Sequence, residues 1–250
     1  MAKRRRVNTT KHEIIQVASE FFFDVGYSAT SPRMIAEELD ISTGNITYYF
    51  PTKDHLLAVI VDMLCDFQWS MMEQEANEGY SSVMAVCLEL MAMASMCESN
   101  QIAKEFYLAS YTSPLTLELI RRNDAKRAKG VFAKFCPDWD DENFVEAETL
   151  VSGIEYATLM TTTDSAPLET RIAGALNAIL QIYQVPEELR KEKIRKVLSM
   201  DYREVGTRVL KEFKEYVEKN NEETLEELFR RKRRKKFREE KDDFEEHKES

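Results

Sequence analysis

Residues 43–53 read Thr-Gly-Asn-Ile-Thr-Tyr-Tyr-Phe-Pro-Thr-Lys. Ile46 and Phe50 are four apart, so a helix puts both on one face, and Thr43, Asn45, Thr47 and Tyr48 project elsewhere. An amide and several hydroxyls on one short helix suit hydrogen bonds to base edges and phosphates, and a tyrosine ring can also meet a thymine methyl. Lys53 begins the next helix, where its ammonium and the free N–H groups can both hold a phosphate. Taken alone, the same side chains would equally suit an ordinary solvated helix face.

Other chemistry has little to work with. The three histidines, His12, His55 and His247, have no recognisable Cys, Ser or carboxylate constellation, and no glycine-rich phosphate loop occurs, so catalysis is not expected. Cys65, Cys87, Cys97 and Cys136 form no Cys-x-x-Cys and have no nearby His to complete a zinc site. Buried free thiols in a reducing cytosol, with no metal and no cofactor, are the expectation. The basic start runs into Asn8-Thr9-Thr10-Lys11 rather than an apolar region, so no signal peptide is expected. The stretch 79–97 carries Glu89 at its middle and reads as a core helix, not a membrane span.

The chain of 250 residues has a net charge of −10, which taken whole argues against nucleic acid. The charge is segregated, however. Residues 1–60 hold 7 basic and 7 acidic side chains, 61–185 hold 8 and 19, and 186–250 hold 20 and 19. Lys3, Arg4, Arg5 and Arg6 make a compact basic arm, and 230–238 is basic at eight of nine positions.

Nearly every segment has helical period and no strand alternation persists, so the fold class is all-α. The stripe Ile14, Val17 or Ala18, Phe21 or Phe22 and Val25 ends at Gly26, a C-cap candidate. Ser31-Pro32 caps a two-turn helix through Leu39, and Ser42 caps another over 43–50. Two short helices joined by Leu39-Asp40-Ile41-Ser42 make a helix-turn-helix, here 31–50. A long helix follows from Lys53 to about Asn77, then helices at about 80–98, 100–111, 114–135, 142–163 and 166–184, with an acidic loop at Pro137–Asp141. Pro186 opens three more helical stretches. In 201–219 an apolar face of Tyr202, Val205, Val209, Phe213 and Tyr216 should pack on something. In 222–246 the Glu226–Arg230 and Glu227–Arg231 pairs, after an Asn220/Glu223 capping box, favour a solvated charged helix; auxiliary binding of DNA or an acidic membrane by its basic run is the sharper alternative.

Seven of the 11 methionines lie between Met63 and Met96. With Trp69, Met91, Tyr107, Tyr111, Tyr156 and Met160 they could line an adaptable apolar pocket, or simply pack a helical core. Glu89 shares a face with Ser82, Ala85 and Ala92 and is expected to face water, with an anchor for a cationic ligand as the remote alternative. Gly153 and Ala157, then Gly174 and Ala178, with small neighbours, allow close helix approach between subunits or within one.

From Gly26-Tyr27-Ser28-Ala29-Thr30-Ser31-Pro32-Arg33-Met34-Ile35-Ala36-Glu37 and Ile41–Lys53, the chain resembles the DNA-binding domain of the TetR/AcrR family of bacterial transcriptional regulators. The likeness covers about residues 8–68. It implies phosphate contacts at Thr30, Tyr48 and Lys53, base reading at Arg33, Thr43, Asn45 and Thr47, and Tyr49 within the same interface. Asp40 stands where the family usually has Gly, Thr43 where Lys or Arg is frequent, and Thr47 where Tyr is frequent, so no operator sequence carries over. The resemblance also implies that 69–185 is a helical regulatory domain that binds a small molecule and dimerises through the helices carrying Gly153 and Gly174. The expected function is a cytoplasmic, homodimeric repressor of a palindromic operator, released by a small apolar effector. The alternative is a protein of the same fold that holds DNA and a protein partner without an effector, suggested by the long extension 186–250.

Overall fold

The computed structural model describes residues 11–77 and 82–219. The arm Lys3–Arg6, Gly79, the Asn220/Glu223 capping box, the Glu226–Arg230 and Glu227–Arg231 pairs and the basic run 230–238 lie outside the described residues. Eleven helices and no strand are found among the described residues.

The head is built from α1 (Lys11–Asp24), α2 (Pro32–Glu38) and α3 (Thr43–Tyr49). Ile14, Ala18 and Phe22 of α1 bury completely, whereas Val25 is exposed because the helix has already ended at Asp24. Gly26 takes φ +103°, which a side chain would strain, and its N–H reaches the Phe21 carbonyl at 3.0 Å. The Ser31 hydroxyl accepts from the Met34 N–H at 3.3 Å with Pro32 at the first helical position, so the sequence signal acts as read. Asp40 adopts the left-handed conformation, φ 49°, that the tight turn requires. Ser42 departs from expectation: it occupies the N-cap position, but its hydroxyl meets the Asn45 side chain at 3.4 Å and no backbone N–H.

From the head, α4 (Lys53–Ala76) runs into a helical body, capped at entry by the Thr52 hydroxyl on His55 N–H and ended by Asn77 at φ 50°. By length and composition α4 could cross a membrane, but 56% of its apolar window is buried inside the fold, as in a core helix. The body continues with α5 (Val83–Ser99), α6 (Gln101–Thr112), α7 (Pro114–Phe132), α8 (Asp141–Leu159) and α9 (Leu168–Ile182). The loop before α8 supplies a reciprocal capping box between Asp140 and Asn143. This helix stops four residues short of the expected 163. Thr161, Thr162 and Thr163 are weak helix formers, the Thr162 N–H turns to Ser165, and Arg171 takes the Thr158 carbonyl at 2.7 Å.

The helix α5 is apolar around its circumference and is buried accordingly: Met84, Ala85, Cys87, Leu88, Met91 and Ala92 have no exposed surface. It is wrapped by α4, α6, α8 and α9, and also by α10 (Glu187–Leu198) and α11 (Tyr202–Lys219). Residues 187–219 therefore return to the core. On α11, Val205, Val209 and Phe213 are buried and Tyr216 half-buried, as the apolar face predicts. Phe213 packs against Phe23 of α1 and Phe67 of α4, with ring centroids at 5.9 and 5.7 Å. Ion pairs Arg208–Glu75, Arg203–Glu169 and Lys214–Asp24 border the contact.

Gly206 marks the closest approach of α11 to α5. A Cβ there would stand 2.6 Å from the Ala92 carbonyl oxygen, which is backbone and cannot rotate away. Gly206→Ala is expected to destabilise the fold by about 1–3 kcal/mol despite alanine's better helix propensity. Thermal denaturation checks it; an unchanged or raised midpoint contradicts this packing.

Candidate nucleic-acid interface and internal cavity

The seven-residue α3 buries one side chain, Ile46, and Phe50 just beyond it anchors the same face. Thr43, Asn45, Thr47, Tyr48 and Tyr49 are exposed, Tyr48 at 81%. The two tyrosine rings brace each other edge to face at 5.1 Å, which fixes their direction without covering them. The Thr47 hydroxyl turns back to the Gly44 carbonyl at 3.2 Å, leaving an oxygen lone pair and the methyl to face outward. Arg33 on α2 is exposed and ion-paired with Glu37 at 2.7 Å, an exchangeable surface contact.

Two positions expected at phosphates are engaged internally. Thr30 is 1% exposed and its hydroxyl donates to the Gly26 carbonyl at 2.7 Å, so it holds the loop after α1 rather than offering a free donor. The Lys53 ammonium donates to the Tyr27 and Thr30 carbonyls at 2.9 and 3.1 Å and lies 4.1 Å from the Tyr27 ring centre. Desolvation pulls its pKa down from the ordinary lysine value. A third ammonium hydrogen remains for an outside acceptor. Tyr27 in turn donates to Asp54 at 2.5 Å, so the start of α4 is locked to the loop preceding α2.

A cavity of about 90 Å³ lies inside the body, between α4, α5, α6, α7, α8 and α9. Trp69, Tyr107 and Tyr111 line it, as the sequence suggested. Met91, Tyr156 and Met160 are not among its lining: Met91 is fully buried on another face of α5, Tyr156 is half-buried, and Met160 is 49% exposed past the end of α8. Of the seven clustered methionines only Met93 reaches the cavity; the rest pack the core.

Glu89 does not face the outer solvent. Ala85 and Ala92 on its side of α5 are covered, and its carboxylate accepts from the Gln68 amide at 3.2 Å in the cavity wall. Asp124, Glu148 and Glu155 join it there, with Arg127 as the cation. This overturns the expectation of an apolar lining. The signal was present in the spacing of Glu148 and Glu155, seven apart and so on one helix face, but nothing local placed that face inward. Burial pushes Glu89 up to about 7 and Glu148 up to about 8, with Asp124 adding to the rise at Glu148, and it raises Glu155 as well.

Glu148 is 3% exposed and accepts from the Tyr183 hydroxyl. Its carboxyl is protonated in the fold up to about 8 but ionises near the ordinary 4.5 when unfolded. The native state thus binds the extra proton in that window, and its stability falls as pH rises through it. Glu148→Gln keeps an acceptor for Tyr183 and never ionises. Its melting midpoint should therefore fall less than the parent's between about pH 5 and about pH 8, ending a few degrees higher. Parallel curves would contradict the assignment.

Residues 14–60 match the family model described as bacterial regulatory proteins, tetR family. The HTH-type transcriptional regulator HbdR of Aromatoleum sp. (strain CIB) is 27% identical over 116 residues, covering 46% of this chain and 49% of that protein. The match thus spans about half the length of this curated relative. Among solved structures, Mycobacterium smegmatis AmtR is 19% identical, with 78% of this chain and 98% of that chain covered and a TM-score of 0.36. A gamma-butyrolactone receptor (ArpA like protein) is 16% identical, with 81% and 96% covered and a TM-score of 0.40. The N-terminal match coincides with the helices that carry the exposed face of α3, and over residues 14–60 the chain is similar to the tetR family of bacterial regulatory proteins.

Proposed function

We propose that the chain is a cytoplasmic, dimeric transcriptional repressor that binds a palindromic operator and is released by a small molecule held in the body cavity. The observation that carries the reading is α3: a family-matched helix with every side chain but Ile46 turned outward and its direction fixed by Phe50. Asn45, Thr43, Thr47 and Tyr48 read or touch bases, Tyr49 and Lys53 border the backbone, and Arg33 joins once Glu37 lets go. The basic arm Lys3–Arg6 supplies sequence-independent attraction.

Dimerisation is assigned to α8 and α9. Gly153, Ala157, Gly174 and Ala178 are exposed, a Cβ at either glycine would meet nothing within 4 Å, and Leu150 beside them is 59% exposed. Small and apolar side chains on two neighbouring helices let a second copy approach closely. An effector between α4 and α6 then acts on the spacing of two heads that must meet half-sites about 34–36 Å apart together. The effectorless alternative is less favoured, because the body holds a cavity and the extension through α11 is taken up in covering α5.

Binding to the inverted repeat nearest the gene, measured by fluorescence anisotropy, tests the reading. Asn45→Ala should cost about 1–3 kcal/mol of discrimination at one base position per half-site with little change in salt dependence. Neutralising Lys3–Arg6 should instead flatten the salt dependence across all sequences. Equal affinity of the parent for repeat and scrambled DNA contradicts sequence reading. Gly174→Glu, at a position open to solvent in one subunit, should leave the fold intact, yield a monomer by light scattering and abolish tight operator binding. A stable dimer of that variant removes the assignment to α9.

A further inference from the structure

The cavity wall holds an imbalance. Arg127 faces Asp124 at 3.2 Å, while the other three carboxyls rest on neutral donors: Glu89 on the Gln68 amide, Glu155 on the Tyr111 hydroxyl at 2.8 Å, and Glu148 on Tyr183. Trp69, Phe106 and Tyr107 bring aromatic surface to the same space. Arg127 also carries a buried Nη2 with no hydrogen-bond partner, Asp66 Oδ1 being 3.6 Å away. We propose that this cavity takes an organic cation, a single positive charge on a compact aromatic body, with the charge seated among Glu148, Glu155 and Glu89 and the ring among the aromatic side chains. The proposal rests on the effector reading above and names the chemical class of that effector.

Three ligand classes behave differently in such a space. An anion opposes the ionisation of three carboxyls that have no cation partner, and the one guanidinium already faces Asp124. A neutral apolar molecule gains only from burial. A cation gains the same burial, is attracted by the ring faces, and finds carboxylates with which to pair in a site of low dielectric. In the empty cavity burial raises all three, Glu89 to about 7 and Glu148 to about 8, so Glu148 holds its proton at neutral pH and entry of a cation expels it. The other groups facing the space from their own helices do not compete. Burial drives the Cys65 thiol on α4, Tyr107 and Tyr111 on α6, and Tyr183 after α9 upward, so they stay neutral, and Arg127 stays charged. Asp124 on α7 is raised by burial and lowered by Arg127.

The test compares three small aromatic molecules by titration calorimetry on the full chain without DNA: phenyltrimethylammonium, its uncharged isostere tert-butylbenzene, and phenylacetate. The expected order is phenyltrimethylammonium at least about tenfold tighter than tert-butylbenzene, with phenylacetate weakest. Affinity for the cation should rise between about pH 6 and about pH 9, with proton release seen as a buffer-dependent heat, while tert-butylbenzene is indifferent to pH. Glu148→Gln with Glu155→Gln should weaken the cation about tenfold or more and leave the isostere within about twofold. Equal or tighter binding of tert-butylbenzene or phenylacetate by the parent, or no binding of the cation, overturns the proposal. Operator release is read separately. A cation that binds but leaves operator affinity unchanged sinks the effector reading alone, and release by an anion or a neutral molecule sinks this inference alone.

Discussion

The arrangement depends on the need to cover α5 on every side. A helix that is apolar around its whole circumference cannot rest at a surface, so neighbours must close over it in all directions. Four helices from the middle of the chain, α4, α6, α8 and α9, do not finish the task. The remaining face is taken by α11, brought back by α10, with Gly206 allowing contact close enough to exclude water. The helices α10 and α11 are therefore part of the body's core, and Phe213 carries that cover on to α1 and α4.

Where α5 turns Glu89 and Met93 toward α4, α7 and α8, closure is incomplete and the cavity remains. Buried carboxyls there cost stability that a purely apolar wall would not, which is the usual mark of a site shaped for something other than folding. The same wall reaches the head along two routes. Through α4 it leads to the lock of Lys53 and Asp54 on Tyr27 and Thr30; through α6, Phe106 lines the cavity and packs on Phe23 of α1 at 4.7 Å.

The head was legible in the sequence because its signals are local. Ser31 before Pro32, Ile46 four residues before Phe50, and a turn residue tolerant of positive φ each act within a few positions of themselves. The helices of the body were legible for the same reason, apart from the end of α8, where tertiary hydrogen bonds from Arg171 and weak helix formers ended it early. The cavity was not legible. Glu89, Asp124 and Glu148 lie on three helices and converge only through packing. Side chain by side chain, the misplacements follow helix angle: Met91 lies about 200° around from Glu89, and Tyr156 about 100° from Glu155. Thr30 was assigned a donor role on resemblance, and only the folded loop reveals its hydroxyl bonded to Gly26.

One contact has a practical meaning for anyone moving heads between bodies. The Glu105 carboxylate on α6 accepts the Ser28 backbone N–H and lies against Gly26, while Lys214 of α11 reaches Asp24. Residues 11–60 are thus not a detachable cassette. A chimera that grafts this head onto a foreign scaffold loses an acceptor for the loop after α1 unless the host supplies a carboxylate at the matching turn of its own sixth helix.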